Sequence, residues 1–250
     1  MNSSLTKSKT KEHCLYKAKI AETEFKKLIA NLTRIKKSIT SQNGTPTELK
    51  SLLSINSKDY KGWLKDTILE DTRLIIEPKI IGCSIAVKYE NGSLKKAISR
   101  DGEDKTPQIK DLNCLPLKIP IKQIIYIRGE LFSREFNCLI SQRSVEEYVN
   151  LRSQDRLHYI SFCAYQIFNS NLNQFSQLKE LNKLGFEIPK TEYTRFKTKE
   201  VELYKRLWED GILFKEYPNN GIVLKVNSRK LQKQLGENSL FPFWAYAIKR

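Results

Sequence analysis

The chain has 250 residues, of which 40% are hydrophobic and 10% aromatic, and its 44 Lys and Arg against 28 Asp and Glu give a formal charge of +16. This apolar content is enough for a folded core and excludes wholesale disorder, and no apolar run approaches the roughly 20 residues that a membrane-spanning helix needs. A strongly basic domain is attracted to phosphate-rich polymers, although a proteome that favours lysine would give the same charge balance.

The cysteines and histidines argue against a metal centre built from these residue types. Zinc ribbons and fingers use closely spaced cysteine pairs, and the cysteines here are scattered. Their odd number and apolar surroundings predict reduced thiols in a cytoplasmic protein, and the polar, Lys-rich N-terminus does not resemble a secretory signal. Only two histidines are present, so we expect neither a histidine-based metal site nor a catalytic triad.

The first 46 residues are predicted to form a separate, basic segment. Apolar residues recur every three or four positions from Ala18 to Ile39, which is the pattern of an amphipathic helix. The segment holds ten Lys and Arg against three acidic residues, and it ends in Ser41–Pro46, whose composition indicates a linker. We therefore divide the chain into a basic tail and helix, 1–46, and a main domain, 47–250.

The main domain is predicted to mix helices with strands, without a regular βαβ alternation. A short helix is expected at 57–68, and longer helices at 174–184 and 198–210, each followed by a glycine. Strands are expected at 73–80, 83–89, 94–100, 123–132, 160–167 and 221–227. Asn91 and Gly92 predict a type I′ turn between the second and third of these strands. The order favours an α+β fold with a largely antiparallel sheet.

Charged residues interrupt four apolar strands: Glu77 and Lys79, Arg128 and Glu130, Lys225, and Lys249. Each one alone is best explained as a solvent-facing strand position, since alternate residues point to opposite faces. Together they can converge on one cleft. Several lysines with few carboxylates point to nucleotide chemistry, because nearby cations lower the pKa of a nucleophilic lysine and stabilise a phosphate that gains charge.

Five short motifs follow one another along the main domain. They are Glu77-Pro-Lys79-Ile-Ile-Gly82, Tyr89-Glu-Asn-Gly92, Arg128-Gly-Glu130, Gly221-Ile-Val-Leu-Lys225-Val and Trp244-Ala-Tyr-Ala-Ile-Lys249. In this order the chain resembles covalent nucleotidyltransferases, and more narrowly the adenylation domain of bacterial NAD-dependent DNA ligases, from about Glu48 to Arg250. The resemblance implies an ATP-grasp-like nucleotidyltransferase fold, in which antiparallel sheets flank a nucleotide cleft.

The resemblance also implies a role for each matching residue. Lys79 matches the lysine that attacks the α-phosphate of NAD, releases nicotinamide mononucleotide and becomes an AMP-lysine, while Lys225 and Lys249 match the lysines that contact this phosphate. Glu77 matches a residue that reads the adenine edge, and Glu130 matches the glutamate that contacts the ribose. The implied cofactor-binding set is completed by Gly82, Arg100, Arg152 and Asn220.

Two positions depart from the family pattern. Ile81 replaces the aspartate of Lys-x-Asp-Gly, and Asn220 replaces the aspartate of Asp-Gly-Val-Val-x-Lys. Both changes remove negative charge from a site that is expected to use Mg²⁺ or Mn²⁺, and we assign no protein ligand to the metal. The family's OB-fold, zinc module, helix-hairpin-helix region and BRCT domain have no counterpart in this sequence, so we do not expect complete nick sealing by this chain alone.

Three hypotheses about function follow. The first is lysine-AMP formation from NAD as the opening step in joining nicked double-stranded DNA, in repair or replication, with a separate ligase or repair protein as a further partner. The second is an inactive nucleic-acid-binding remnant whose basic N-terminal helix contacts phosphates. The third is an RNA ligase or capping relative. The Asn91-Gly92 hairpin, the Phe-Cys-Ala-Tyr strand and the Trp-Ala-Tyr-Ala-Ile-Lys segment favour the NAD ligase branch.

Overall fold

Two four-stranded antiparallel sheets form the frame of the described part of the chain. The computed structural model describes residues 60–67, 72–112, 114–134, 145–149, 160–168, 170–195, 198–237 and 241–249. The predicted N-terminal helix, the linker after it, the boundary at residue 46 and Arg152 lie outside these residues. None of the described helices is long and apolar enough to cross a membrane.

The strand order is β6-β1-β7-β8 in the first sheet and β3-β2-β4-β5 in the second sheet. The elements in chain order are α1 (Tyr60–Thr67), β1 (Arg73–Ile80), β2 (Cys83–Glu90), β3 (Ser93–Ser99), α2 (Thr106–Asp111), β4 (Ile125–Ser133), β5 (Ile160–Ile167), α3 (Gln174–Lys183), β6 (Glu192–Arg195), α4 (Thr198–Glu209), β7 (Asn219–Val226), α5 (Arg229–Leu235) and β8 (Ala245–Lys249). Residues 145–149 are also helical. The predicted α+β class with antiparallel sheets is confirmed.

The turn between β2 and β3 follows from its sequence. Asn91 has a φ of 51° and Gly92 has a φ of 74°. Both values lie in the left-handed region that a type I′ turn needs at its two central positions, and asparagine and glycine reach this region at low cost. The predicted hairpin is therefore confirmed.

The apolar residues form two main clusters, and β1 contributes to both of them. Leu74 and Ile76 pack with α1, α4, β7 and β8, whereas Ile75 packs with the second sheet and α3. Successive strand residues point to opposite faces of a sheet. The face of β1 that carries Ile75 therefore also carries Glu77 and Lys79, so this alternation turns both charged side chains towards the second sheet.

Candidate active site

A cavity of about 320 Å³ is lined by both sheets and contains most of the predicted site residues. The first sheet contributes Glu77, Lys79, Lys225 and Lys249, and the second sheet contributes Glu130, with Arg100 just after β3. This volume lies within the range of small-molecule pockets, about 300–1,000 Å³.

Strand register explains why charged residues from distant parts of the chain share this cavity. Directly paired residues of neighbouring strands point to the same face of a sheet. Ile75 of β1 is paired with Lys225 of β7, and Lys225 is paired with Ala245 of β8. Side chains alternate between the two faces along a strand, so every second residue lies on the same face. Counted from Ile75 and Ala245, this face also carries Glu77 and Lys79 on β1 and Lys249 on β8.

At one end of the cavity, Glu77 and Lys225 form a buried ion pair. Lys225 Nζ donates to Glu77 Oε2 at 2.6 Å, and the side chains are only 9% and 4% exposed. Gln174 Nε2 donates to Glu77 Oε1 at 3.1 Å and to the carbonyl oxygen of Tyr165 at 3.0 Å. The ammonium of Lys225 also lies 4.7 Å from the centre of the Tyr165 ring. Both carboxylate oxygens of Glu77 are therefore held in fixed positions.

Lys79 occupies another part of the cavity wall, among charges of both signs. Burial lowers the pKa of Lys79, the cation of Lys249 lowers it further, Glu130 raises it, and Arg100 lowers it. The direction agrees with the expected effect of nearby cations, but burial is the largest cause of the lowered pKa. Lys225, which matches a lysine expected to contact the same phosphate as Lys249, is not among the charges that shift this pKa. Its ammonium is bound to Glu77 instead.

Glu130 faces these cations from β4. Burial raises the pKa of Glu130 to about 7, even though Arg100, Lys79 and Arg128 all act to lower it. At neutral pH the carboxyl group is therefore present in both protonation states, and it can donate as well as accept a hydrogen bond.

Two of the predicted cofactor-binding residues do not line this cavity. Gly82 lines a neighbouring cavity of about 270 Å³, which Arg100 also lines. A Cβ atom at Gly82 would lie 1.8 Å from the carbonyl oxygen of Leu131, so the close approach of β4 is enough to require glycine there. Asn220 is exposed and lies outside the cavity wall. The preceding Asn219 donates to the carbonyl oxygens of Phe214 and Tyr217.

The donor set around Lys79 does not fit a metal ion held by the protein. Within the described ranges no group of three His, Cys, Asp or Glu residues could hold a metal. Among the charges that shift the pKa of Lys79, Glu130 is the carboxylate. Its own raised pKa of about 7 weakens it as a metal ligand at neutral pH. Mg²⁺ is commonly bound through substrate phosphates together with one or two carboxylates, so any Mg²⁺ here would depend on the nucleotide.

Three polar or aromatic residues of this region were not predicted. Gln174 was assigned only as the first residue of a helix, and nothing in its sequence context indicates its contact with Glu77. Arg128 was identified as a strand charge without a role; it is buried, and its guanidinium lies 4.4 Å from the centre of the Phe168 ring. Tyr165 was part of a supporting motif, but its ring contact with Lys225 depends on a pairing across the two sheets.

The sequence matches the NAD-dependent DNA ligase adenylation domain family over residues 54–154 and 149–250. A DNA ligase of Fervidobacterium nodosum is 31% identical over 207 residues, which cover 73% of this chain and 30% of that protein. A DNA ligase of Natranaerobius thermophilus is 32% identical over 236 residues, which cover 81% of this chain and 35% of that protein. The chain thus spans about a third of the length of the curated relatives that it matches.

The fold is also similar to solved structures of low sequence identity. An archaeal ATP-dependent RNA ligase superposes with a TM-score of 0.51 at 14% identity, over 80% of this chain and 48% of that one. At this identity the similarity shows the fold alone, and it agrees with the predicted nucleotidyltransferase architecture.

Proposed function

The chain belongs to the NAD-dependent DNA ligase adenylation domain family, and we propose that it carries out the lysine-adenylation step with NAD as the adenylate donor. The observation that carries this proposal is the convergence of Lys79, Glu130 and Lys249 on one cavity that also contains the Glu77–Lys225 pair. Four of the five motifs supply these side chains, at positions 77–82, 128–130, 221–226 and 244–249.

In the proposed reaction, the unprotonated amine of Lys79 attacks the α-phosphorus of NAD. A bond forms between Nζ and phosphorus, and the bond from that phosphorus to the bridging oxygen breaks. The electron pair leaves with nicotinamide mononucleotide, the amine loses a proton, and AMP stays bound to Lys79. The lowered pKa of Lys79 supports this role, because it increases the fraction of free amine at neutral pH.

The neighbouring residues are proposed to bind and orient the nucleotide. Lys249 and Arg100 would balance the charge that develops on the α-phosphate, which is supported by their electrostatic effect on Lys79. Glu130 would bind the ribose hydroxyls. Glu77 would read the adenine edge, with Lys225 beside it. The motif implies that Lys225 contacts the α-phosphate, and we propose this contact only for a rearranged, nucleotide-bound state.

The acceptor of the AMP group is proposed to be the 5′-phosphate end of a nick in double-stranded DNA. The names of the relatives support this choice, since both are DNA ligases. The net charge of +16 also favours a polyanionic partner. Because the chain corresponds to about a third of those proteins, joining of the nick would need further parts or a separate ligase.

The proposal is tested by incubating the purified protein with adenine-labelled NAD, or separately with labelled ATP, in the presence of Mg²⁺ or Mn²⁺. We expect covalent label from NAD in the wild type and none in Lys79→Ala. Lys88→Ala is the matched control, because Lys88 is also a strand lysine but pairs with Glu90 at 3.0 Å. A folded wild-type protein that takes no label from either nucleotide would overturn the proposal, and label from ATP alone would overturn the choice of donor.

A further inference from the structure

Four cations lie on a surface at the N-terminal end of β1, which we name the edge surface. It is formed by Arg73, Lys179, Arg229 and Lys233, together with Phe175 and Tyr193. Direct contacts connect its parts: the Phe175 and Tyr193 rings lie 5.5 Å apart, and Asn227 Nδ2 donates to the Tyr193 hydroxyl at 3.2 Å. On the α5 side, the Arg229 backbone N–H donates to Asn173 Oδ1 at 2.9 Å.

Each of the four cations is positioned by an uncharged partner. Arg73 Nη1 donates to the Tyr193 hydroxyl at 3.2 Å, and its guanidinium lies 5.6 Å from the centre of that ring. Lys179 Nζ lies 4.7 Å from the centre of the Phe175 ring. These contacts hold the side chains in place, but they leave the positive charges uncompensated.

On the α5 side of the surface, the two cations are also positioned by uncharged partners. Lys233 Nζ donates to Asn171 Oδ1 at 2.9 Å, and Arg229 Nη1 donates to Gln232 Oε1 at 3.2 Å. Amide oxygens orient a cation without neutralising it. The part of the chain that the structure describes contains no ion pair between any of these four cations and a carboxylate.

Four other surface cations are paired with carboxylates instead. Lys61, Lys88, Lys190 and Lys205 each lie within 3.0 Å of a carboxylate oxygen, on Glu202, Glu90, Glu216 and Glu209 respectively. Their charges are therefore largely cancelled locally. The edge surface differs because its charges are both ordered and uncompensated, and such a surface suits a polyanion.

The contacts of the two aromatic rings favour duplex DNA over a single strand as the polyanion. Proteins that bind single strands stack unpaired bases on exposed aromatic rings. Here the Tyr193 ring is engaged by Arg73 and Phe175, and the Phe175 ring is engaged by Lys179 and Tyr193. The rings therefore serve as supports for cations, and contacts from this surface go to phosphates, which duplex DNA presents in a regular array.

We propose that the edge surface binds the phosphate backbone of duplex DNA, at a place separate from the nucleotide cavity. Arg73 precedes Lys79 by six positions of β1, which corresponds to about 20 Å at the usual rise of a strand. The inference does not depend on adenylation, since binding is measured without NAD. Duplex held here would extend the contact of the protein with DNA beyond the reacting end.

The test compares two quadruple variants of the full chain that lose the same net charge. The edge variant is Arg73→Gln, Lys179→Gln, Arg229→Gln and Lys233→Gln, and the control variant is Lys61→Gln, Lys88→Gln, Lys190→Gln and Lys205→Gln. Binding to a fluorescent duplex and to a single strand of equal length is followed by anisotropy over a range of salt concentrations. Each phosphate contact contributes about 0.9 to the slope of log K against log salt, so the edge variant should lose between about 2 and 3.6 of that slope on duplex.

The control variant should keep a slope within about one contact of the wild type. Equal losses in both variants, an unchanged slope in the edge variant, a loss seen only on the single strand, or no duplex binding by the wild type would each overturn the proposal. A wild-type measurement covers the case in which the edge variant does not fold: duplex should protect Lys179 and Lys233 from acetylation while Lys61 and Lys190 stay reactive. Lysine-AMP formation in the same variants shows separately whether the adenylation proposal stands.

Discussion

Lys225 Nζ lies 2.6 Å from Glu77 Oε2 across 148 positions of sequence, and both buried side chains line the cavity between the two sheets. A buried ion pair is costly to desolvate, so stability alone does not explain its presence. What the pair achieves is a fixed orientation: Lys225 holds one carboxylate oxygen of Glu77 and Gln174 holds the other. A carboxylate oriented in this way can discriminate between nucleobases by their hydrogen-bonding edges.

Breaking the pair from one side should destabilise the protein strongly. Glu77→Gln or Lys225→Met leaves a buried charge without its partner, and we expect each to lower the free energy of unfolding by about 3–5 kcal/mol. The double variant replaces the pair by neutral groups, and it should recover most of this loss. Urea denaturation of the three variants measures the effect. If the double variant is as unstable as the sum of both single variants, the two side chains do not act as a pair.

Gln174 is expected to position Glu77 for nucleotide binding. Gln174→Leu removes both hydrogen bonds of its amide, and we expect the single-turnover adenylation rate to reach half its maximum at a higher NAD concentration, with a smaller change in the maximal rate. Gln177→Leu is the matched control: Gln177 is buried in the same helix and also makes two hydrogen bonds, to Ile167 N–H and to the Leu172 carbonyl oxygen. Both variants should lose about 1–3 kcal/mol of stability. A half-saturating NAD concentration that rises equally in both would reduce Gln174 to a structural role.

Gly82 is expected to be required for the packing of β2 against β4. Because a Cβ here would meet the Leu131 carbonyl oxygen at 1.8 Å, Gly82→Ala must displace β2 from β4 and should cost about 3 kcal/mol or more. In the control Gly211→Ala no atom lies within 4 Å of the new Cβ, and only the φ of 69° opposes the change, so about 1–2 kcal/mol is expected. Thermal unfolding distinguishes the two. Equal stability losses would show that the clash at Gly82 is relieved by a small shift.

The elements that were predicted well are those whose signal is local. Strands β1 and β5 match their predicted bounds because each is a short segment rich in isoleucine and other apolar residues, and the helix at Thr198–Glu209 follows its apolar spacing. Strand β6 was missed. It has only four residues, Glu192–Arg195, and it exists because β1 pairs with it. The helix at Thr106–Asp111 was also missed, since it is short and only Ile109 in it is buried.

The site was predictable to the extent that its residues belong to sequence motifs. The motifs predicted that Lys79, Glu130, Lys225 and Lys249 belong to one site, and in the structure all four line one cavity. Sequence could not show that Lys225 would be engaged by Glu77 while Lys249 acts on Lys79, because that division depends on strand register. Nor could it indicate burial as the main cause of the lowered pKa of Lys79.

The charges around Lys79 should determine the pH dependence of adenylation. Attack needs the free amine, so the logarithm of the single-turnover rate should rise with pH and level off at the pKa of Lys79, which burial and Lys249 hold below its usual 10.5. Lys249→Met removes a cation that disfavours protonation of Lys79, so the pKa rises and the profile moves to higher pH. The rate lost at neutral pH is then regained in alkaline buffer. Any loss that persists on the plateau measures instead the contact of Lys249 with the phosphate.

Glu130→Gln should move the same profile in the opposite direction. Ionised Glu130 favours the protonated form of Lys79, so its removal lowers the pKa of that lysine and moves the profile to lower pH. The effect should be present only above pH 7, because the pKa of Glu130 is about 7 and the neutral acid exerts little influence below it. Lys88→Met, at a position paired with Glu90 outside the cavity, should leave the profile unchanged. Profiles of Lys249→Met and Glu130→Gln that move together, or not at all, would show that the nucleophile is not governed by this pair of opposite charges.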